Sequence, residues 1–230
     1  MPKAEPEVVM RVVSDAEIPA VAALEEQAFD DTLFCLLGRE FIARYYAWQI
    51  PRARVSILLG AWCGAKLVGF SYGGVFNRSL REFYREYIWQ AAGCLAARPW
   101  RILSPIIVNR VFWTAAGIGR RARKRVFRQP EIKSVVPDSE SFCIGRVAVD
   151  PGHRRQGVAK RLLAEMESRA AALGFLNMHL FVDGRNVAAV SCYQVSGWKI
   201  ISSRNQNVTM AKEIAAALPR APQVAVQSRG

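Results

Sequence analysis

Arg154, Arg155, Gly157 and Ala159 stand together where an apolar run ends, in Val147-Ala148-Val149-Asp150-Pro151-Gly152-His153-Arg154-Arg155-Gln156-Gly157-Val158-Ala159-Lys160-Arg161-Leu162-Leu163. The order reads as a buried strand, a turn and a helix whose first residues are small. Small residues at a helix start leave its unpaired N–H groups open, and the helix dipole adds positive potential at the same end. Such an arrangement suits an anion of the pyrophosphate type, with the two arginines adding charge. The pattern GxxxxGK[ST] is absent, which argues against a nucleoside-triphosphatase loop. Taken alone, these residues also read as a tight strand-to-helix turn with glycine and arginine on a solvated rim.

A second run lies downstream: Asn186-Val187-Ala188-Ala189-Val190-Ser191-Cys192-Tyr193-Gln194-Val195-Ser196-Gly197-Trp198. Together with Arg154-x-x-Gly157-x-Ala159 after an apolar strand, its Asn-x-x-Ala-x-x-x-Tyr-x-x-x-Gly-aromatic pattern resembles the two signatures of the GNAT acetyltransferase superfamily, in that family's order. The resemblance covers about Val8 to Lys212 in element order and is strongest from Phe142 to Trp198. It implies an acyl-CoA-dependent N-acyltransferase, with acetyl-CoA or a longer acyl-CoA as cosubstrate and no metal. The acceptor it implies is a small-molecule amine, with an amino sugar or nucleotide-linked amino sugar as candidates. By the same resemblance, Val147, Ala148 and Val149 receive the pantetheine arm as a pseudo-strand where the fourth and fifth strands splay apart. Arg154, Arg155, Gln156, Gly157, Val158 and Ala159 hold the pyrophosphate, Asn186 and Ala189 lie on the pantetheine side, and Tyr193 protonates the departing thiolate. Acyl transfer to an amine passes through a tetrahedral intermediate, so a hydroxyl near the thioester sulfur lowers the barrier to its expulsion, and a phenol suits that role. The plainer alternative for Tyr193 is a ring packed in the core with a local partner for its hydroxyl.

A base is also needed, to take a proton from the incoming ammonium. Relatives often carry a glutamate on the strand before the loop, but Ser141-Phe142-Cys143-Ile144-Gly145-Arg146 has none, and the nearest is Glu140. Glu140 acting through water, Glu25 or Glu26 on the first helix, and an amine that arrives neutral stay open as alternatives. Strand alternation puts Cys143, Gly145 and Val147 on one face. Cys143 and Cys192 read as small buried hydrophobes rather than nucleophiles, since no histidine is near them in sequence and His153 and His179 are the only two. The five cysteines follow no metal-ligand spacing, so metal binding is not expected.

The elements that would position these groups alternate between strand and helix. Val8 to Val13 reads as a strand, and Ser14-Asp15 caps a helix carrying Ile18, Val21, Leu24 and Phe29 on one face. A second helix is predicted over Arg39 to Gln49, stopped by Pro51. Val55 to Cys63 and Lys66 to Val75 form a hairpin about Gly64-Ala65. After Pro137 the reading is strand Phe142 to Val149, helix Gln156 to Leu173, strand Asn177 to Asp183, helix Ala188 to Val195, and strands near Lys199 to Ser203 and Asn207 to Lys212. The expected fold is α/β, a mixed and mostly antiparallel central sheet flanked by helices. The division is residues 1–76 as the first half of the domain, 77–139 as a basic helical insertion, 140–213 as the second half, and 214–230 as a disordered tail.

The formal charge of +13 is concentrated in the insertion, where Asn77 to Val136 holds thirteen basic side chains against three acidic ones. Leu80, Phe83, Tyr84, Tyr87, Ile88, Ala91 and Leu95 give this stretch amphipathic helical spacing. Its basic face fits an acidic acceptor, an anionic membrane surface or a solvated helix face, and its aromatics fit a second subunit. Nucleic acid is the less favoured partner, since specific binding motifs are absent. Scattered cysteines and an N-terminus without an apolar leader predict a reducing, cytoplasmic compartment, membrane-peripheral if the basic face docks. A non-catalytic acyl-CoA-binding module is the alternative to an enzyme.

Overall fold

The computed structural model describes residues 7–29, 33–76, 80–96, 141–204 and 206–214. Its seven strands form one sheet in the order β1-β2-β3-β4-β5-β7-β6: β1 (Val8–Val12), β2 (Val55–Cys63), β3 (Lys66–Val75), β4 (Phe142–Val149), β5 (Asn177–Asp183), β6 (Lys199–Arg204) and β7 (Asn207–Glu213). Every neighbouring pair is antiparallel except β4 and β5, which run parallel. The expected mixed, mostly antiparallel α/β sheet is what the chain forms.

Helices cover both faces, because inward residues of both parities along the central strands are apolar. On one face lie α1 (Ile18–Ala28), α2 (Leu33–Leu37), α3 (Arg39–Gln49), α4 (Leu80–Glu86) and α5 (Ile88–Ala96). They share a core of Val21, Leu24, Phe34, Phe41, Ile42, Tyr46, Phe70, Tyr72 and Phe83. On the other face α6 (Val158–Ala172) buries Val158, Leu162, Met166 and Ala170, at spacings of four, against Phe142, Ile144, Met178, Leu180 and Met210. A seventh helix, α7 (Val187–Val195), follows β5.

Three differences from the sequence reading have local causes. The five residues of α2 carry too short a pattern to be read as a helix, yet Phe34, Cys35 and Leu37 are buried by it. The continuous spacing from Leu80 to Leu95 is broken at Tyr87 into α4 and α5. These two helices belong to the core of the N-terminal helices: Phe83 is fully buried, and the Trp48 indole N–H donates to Glu86 at 2.7 Å. Residues 97–139, most of the predicted insertion, lie outside the described residues, as do Glu140 and the tail from 215.

The third difference lies on β4. Its register against β3 passes from Arg146–Tyr72 to Ile144–Gly73, so Gly145 is an extra residue, a bulge. Below it Phe142 and Ile144 face α6; above it Val147 and Val149 pack on that same side while Ala148 joins the other core. The expectation that Cys143, Gly145 and Val147 share a face is therefore corrected. The bulge shifts alternation by one, and Cys143 and Val147 point to opposite sides.

Close backbone approach fixes this part of the sheet. A Cβ on Gly74 would lie 2.1 Å from the Val55 carbonyl oxygen, a contact that no side-chain rotation relieves. Gly74→Ala is expected to destabilise the protein by about 1–3 kcal/mol through forced backbone movement, read as a lowered midpoint in chemical denaturation. A midpoint equal to that of the parent would show that β2 and β3 do not pack as closely as described.

Candidate functional site

β4 keeps β3 as its neighbour along its length, up to the pair Gly69–Val149, and Asp150 N–H donates to Val68 O at 2.9 Å. On its other side it pairs with β5 at only three positions, Phe142–Met178, Cys143–His179 and Ile144–Leu180. Beyond these the strands part, and β5 continues to Asp183 against β7 alone. Alternation from Asp150 turns the backbone polar groups of Val147 and Val149 into this gap, whereas those of Ala148 face β3. The Val149 carbonyl accepts from Arg154 Nε at 3.2 Å, and Val147 has no partner on β5.

The loop leaving β4 is held at its root by Asp150, which is buried. Its carboxylate accepts from Gly152 N–H at 2.9 Å, meets His153 Nδ1 at 3.2 Å and pairs with Lys66 at 3.0 Å. Hydrogen bonds from Lys66 and His153 hold the Asp150 pKa below its ordinary value, against the opposing effect of burial. The chain then turns through two left-handed residues, Arg155 at φ 63° and Gly157 at φ 77°. For the arginine this conformation costs about 1–2 kcal/mol, a strain of the kind stored at functional sites.

Gly157 precedes the first turn of α6, and its carbonyl accepts from Arg161 N–H at 3.0 Å. The N–H groups of Val158, Ala159 and Lys160 thus have no intrahelical acceptor. Those of Arg155, Gln156 and Gly157 have no partner among the described residues either. Six consecutive donors at the positive end of a 15-residue helix form a cradle of a kind suited to an anion. A Cβ on Gly157 would meet nothing within 4 Å, so the space in front of the cradle is open. The helix can dock here because Gly69 lies beneath it: a Cβ there would come to 3.0 Å from Val158 and 3.1 Å from Leu162. Two of the predicted anion-binding side chains bond to nearby backbone carbonyls, Arg154 to Val149 and Gln156 to Gly152 at 3.2 Å. The cradle's backbone N–H groups and the Arg155 side chain make no such bond among the described residues.

Asn186 caps α7, its side-chain oxygen accepting from Ala189 N–H at 3.0 Å. The asparagine and the alanine of the second run therefore have a structural role, fixing the helix start that positions Tyr193. The Tyr193 ring packs against the α6-side core, 6.1 Å from the ring of Trp198, and no described residue hydrogen-bonds its hydroxyl. Burial, with Cys192 adding to it, pushes the Tyr193 pKa up to about 12, so the phenol keeps its proton at neutral pH.

Of the glutamates considered as bases, Glu26 pairs with Arg39 at 3.2 Å. Glu25 is buried, with Arg146 Nε at 3.3 Å from one oxygen and the Tyr46 hydroxyl donating to the other. Burial and then Glu25 raise the Tyr46 pKa well above its ordinary value. Sequence reasoning missed this Arg146–Glu25–Tyr46 cluster, whose members lie up to 121 residues apart; the one available signal was a lone arginine in an apolar strand. It also missed that His179 is the cross-strand neighbour of Cys143. His179 meets Ser141 Oγ at 2.9 Å through Nδ1, and burial lowers its pKa. Burial pushes the Cys143 thiol up to about 12, only partly offset by Arg146, and burial also raises Cys192.

The model of the Acetyltransferase (GNAT) family matches residues 26–198. No curated protein matches the sequence. Among solved structures, the chain is similar to the PaiA N-acetyltransferase of Thermoplasma acidophilum in complex with coenzyme A, at 15% identity over 90% of this chain and 99% of that one, with a TM-score of 0.53. It is similar to the ribosomal-protein-S18-alanine N-acetyltransferase of Escherichia coli, at 14% identity, 94% and 97% coverage and a TM-score of 0.52. YncA of Salmonella typhimurium, a putative acetyltransferase with its cofactor acetyl-CoA, gives 13% identity, 94% and 98% coverage and a TM-score of 0.52. At these identities the likeness is one of fold.

The hydrogen bonds to Asp150 carry a pH dependence whose sign is fixed. A carboxylate whose folded pKa is depressed adds stability above its unfolded value, and that stability is lost as pH falls through the folded one. The stability gap between the parent and Asp150→Asn is therefore expected to be widest near neutrality and to close below about pH 4, followed by urea unfolding at several pH values. A gap independent of pH would mean that Asp150 is not held as an anion by Lys66 and His153.

Proposed function

The chain belongs to the GNAT family of acetyltransferases, and from that premise we propose that it moves an acetyl group from acetyl-CoA to the amine of a small molecule by direct attack. The observation that carries this reading is the parting of β4 from β5 beside a run of unpaired N–H groups. A long ligand with an anionic centre and an amide-bearing arm matches both parts. The cradle from Arg155 to Lys160 would hold the pyrophosphate, and Val147, whose backbone has no partner on β5, would satisfy the amides of the arm. Bound acetyl-CoA would supply the acyl group as an activated thioester. Tyr193, kept protonated by its burial, would hold the proton for the leaving sulfur. Glu140 is retained as a candidate base acting through water. Glu25 is not suited to that role, because its buried carboxylate already serves Arg146 and Tyr46. The charge of +13 favours an acceptor with acidic character, such as a nucleotide-linked amino sugar.

Acetyl-CoA is expected to raise the thermal midpoint of the parent, since a ligand that binds only the folded state stabilises it by mass action. Gly157→Val should abolish that rise, because a branched side chain disfavours the left-handed backbone and its methyls would intrude on the cradle. No rise with the parent protein would sink the cofactor site. Tyr193→Phe is expected to lower kcat roughly a hundredfold while leaving the acetyl-CoA-dependent rise intact. An unchanged kcat would remove Tyr193 from the chemistry.

A further inference from the structure

Arg146 is a charged residue that the reaction described above does not use. It sits on β4 directly after the bulge, its side chain on the face of α1 and α3, about one-third exposed. The guanidinium is fixed at two points: Nε donates to Glu25 at 3.3 Å and Nη1 donates to the Gly145 carbonyl at 3.0 Å. Glu25 is in turn fixed by the Tyr46 hydroxyl in the core. Nη2 has no partner among the described residues, so the outer edge of a rigid cation is left open. A buried ion pair is weak evidence of a role in stability. Replacing a buried ion pair by apolar side chains is often neutral or favourable.

The position of Arg146 relative to the gap gives the open edge a purpose. With the pyrophosphate at Arg155 to Lys160, beyond the C-terminal end of β4, the arm of the cosubstrate runs back past Val149 and Val147. It ends where β4 and β5 close up again, at Ile144–Leu180. The reacting end thus arrives beside Gly145 and Arg146. The Phe76 ring lies 3.5 Å from where a Gly145 side chain would begin, and the Tyr45 phenol is within electrostatic reach of Arg146 and Cys143. With these aromatic side chains nearby, a charge-assisted hydrogen bond from the guanidinium to an oxyanion would be strong.

We propose that Arg146, held by the buried Glu25–Tyr46 pair, is an acceptor-binding residue: it takes a carboxylate or phosphate carried by the same molecule as the amine that is acetylated. The inference rests on the acetyltransferase reading for the place of the reacting end. Glu25 is a positioning residue within it, engaging the guanidinium at Nε rather than meeting the acceptor. The carboxylate partner lowers the net charge of the site, so the anionic group sets preference among acceptors and adds to contacts made by the rest of the molecule.

The test compares matched amines that differ in the anionic group: β-alanine with propylamine, O-phosphoethanolamine with ethanolamine, and glucosamine 6-phosphate with glucosamine. Binding of each is measured by titration calorimetry without acetyl-CoA, and turnover by release of free thiol. At least one anionic member is expected to bind roughly tenfold or more tighter than its neutral partner, a size typical of one charge-assisted contact. The carboxylate and phosphate arms show which anion the site prefers. Arg146→Met alone would strand the Glu25 carboxylate, so the informative variant is Arg146→Met with Glu25→Gln, which keeps a partner for Tyr46. It should lose the preference, through KM where turnover is measured, and keep the acetyl-CoA-induced rise in thermal midpoint. Equal binding within every pair, no binding by any member, or a preference that survives in the double variant overturns the proposal. Loss of the acetyl-CoA response in the parent, with the anion preference intact, would instead overturn the acetyltransferase reading and leave the anion site standing.

Discussion

A strand in the middle of a sheet must satisfy backbone donors and acceptors on both edges, and β4 does so on the β5 side for three residues only. Everything else at the site follows from that incomplete pairing. The Gly145 bulge sets where the strands part, because it turns the upper half of β4 by one residue relative to the lower half. The hairpin of β2 and β3 keeps the parted strand from collapsing, since β4 stays paired with β3 to Val149 while it is free on the other side. β7 does the same for β5. The gap is thus built from two rigid half-sheets that share a short seam.

The electrostatic arrangement is matched to that geometry. Unpaired N–H groups collect at the end of the gap where the α6 dipole is positive, and Asp150 holds the turn from beneath without occupying the cradle. A carboxylate so near an anion site would repel a ligand, but Lys66 and His153 engage it. At the other end of the gap the charge order is the same: Glu25 is buried and its partner Arg146 is about one-third exposed. At each end a positive group is thus backed by a carboxylate that acts as its anchor.

Much of this was legible in the sequence, and the reason differs from element to element. The strand-loop-helix unit from Phe142 to Leu173 was readable because an apolar run, a glycine-bearing turn and small residues at a helix start are local signals. Tyr193 was readable through its pattern with Asn186 and Gly197, and the structure adds why the asparagine is there: it caps the helix. The bulge was not readable, because an extra residue leaves no trace in composition and only the register with β3 reveals it. Glu25, Tyr46 and Arg146 were not readable as a unit, since their meeting depends on α1 and α3 crossing β4. A glutamate on the apolar stripe of α1 resembled a surface charge until its partners closed over it.

Cys143 and His179 invite a covalent reading of the acyl transfer. Their adjacency on the two parallel strands resembles a nucleophile with its base. A thiol pushed up to about 12 leaves roughly one molecule in a hundred thousand ionised at pH 7. The Nδ1 side of the imidazole is engaged with Ser141, and burial favours the neutral ring. A covalent route through Cys143 would need a thiolate that this environment opposes, which supports the proposed attack by the acceptor amine itself. The same burial then acquires a different meaning. It keeps Cys143 uncharged beside Arg146, so the guanidinium meets no second internal anion there.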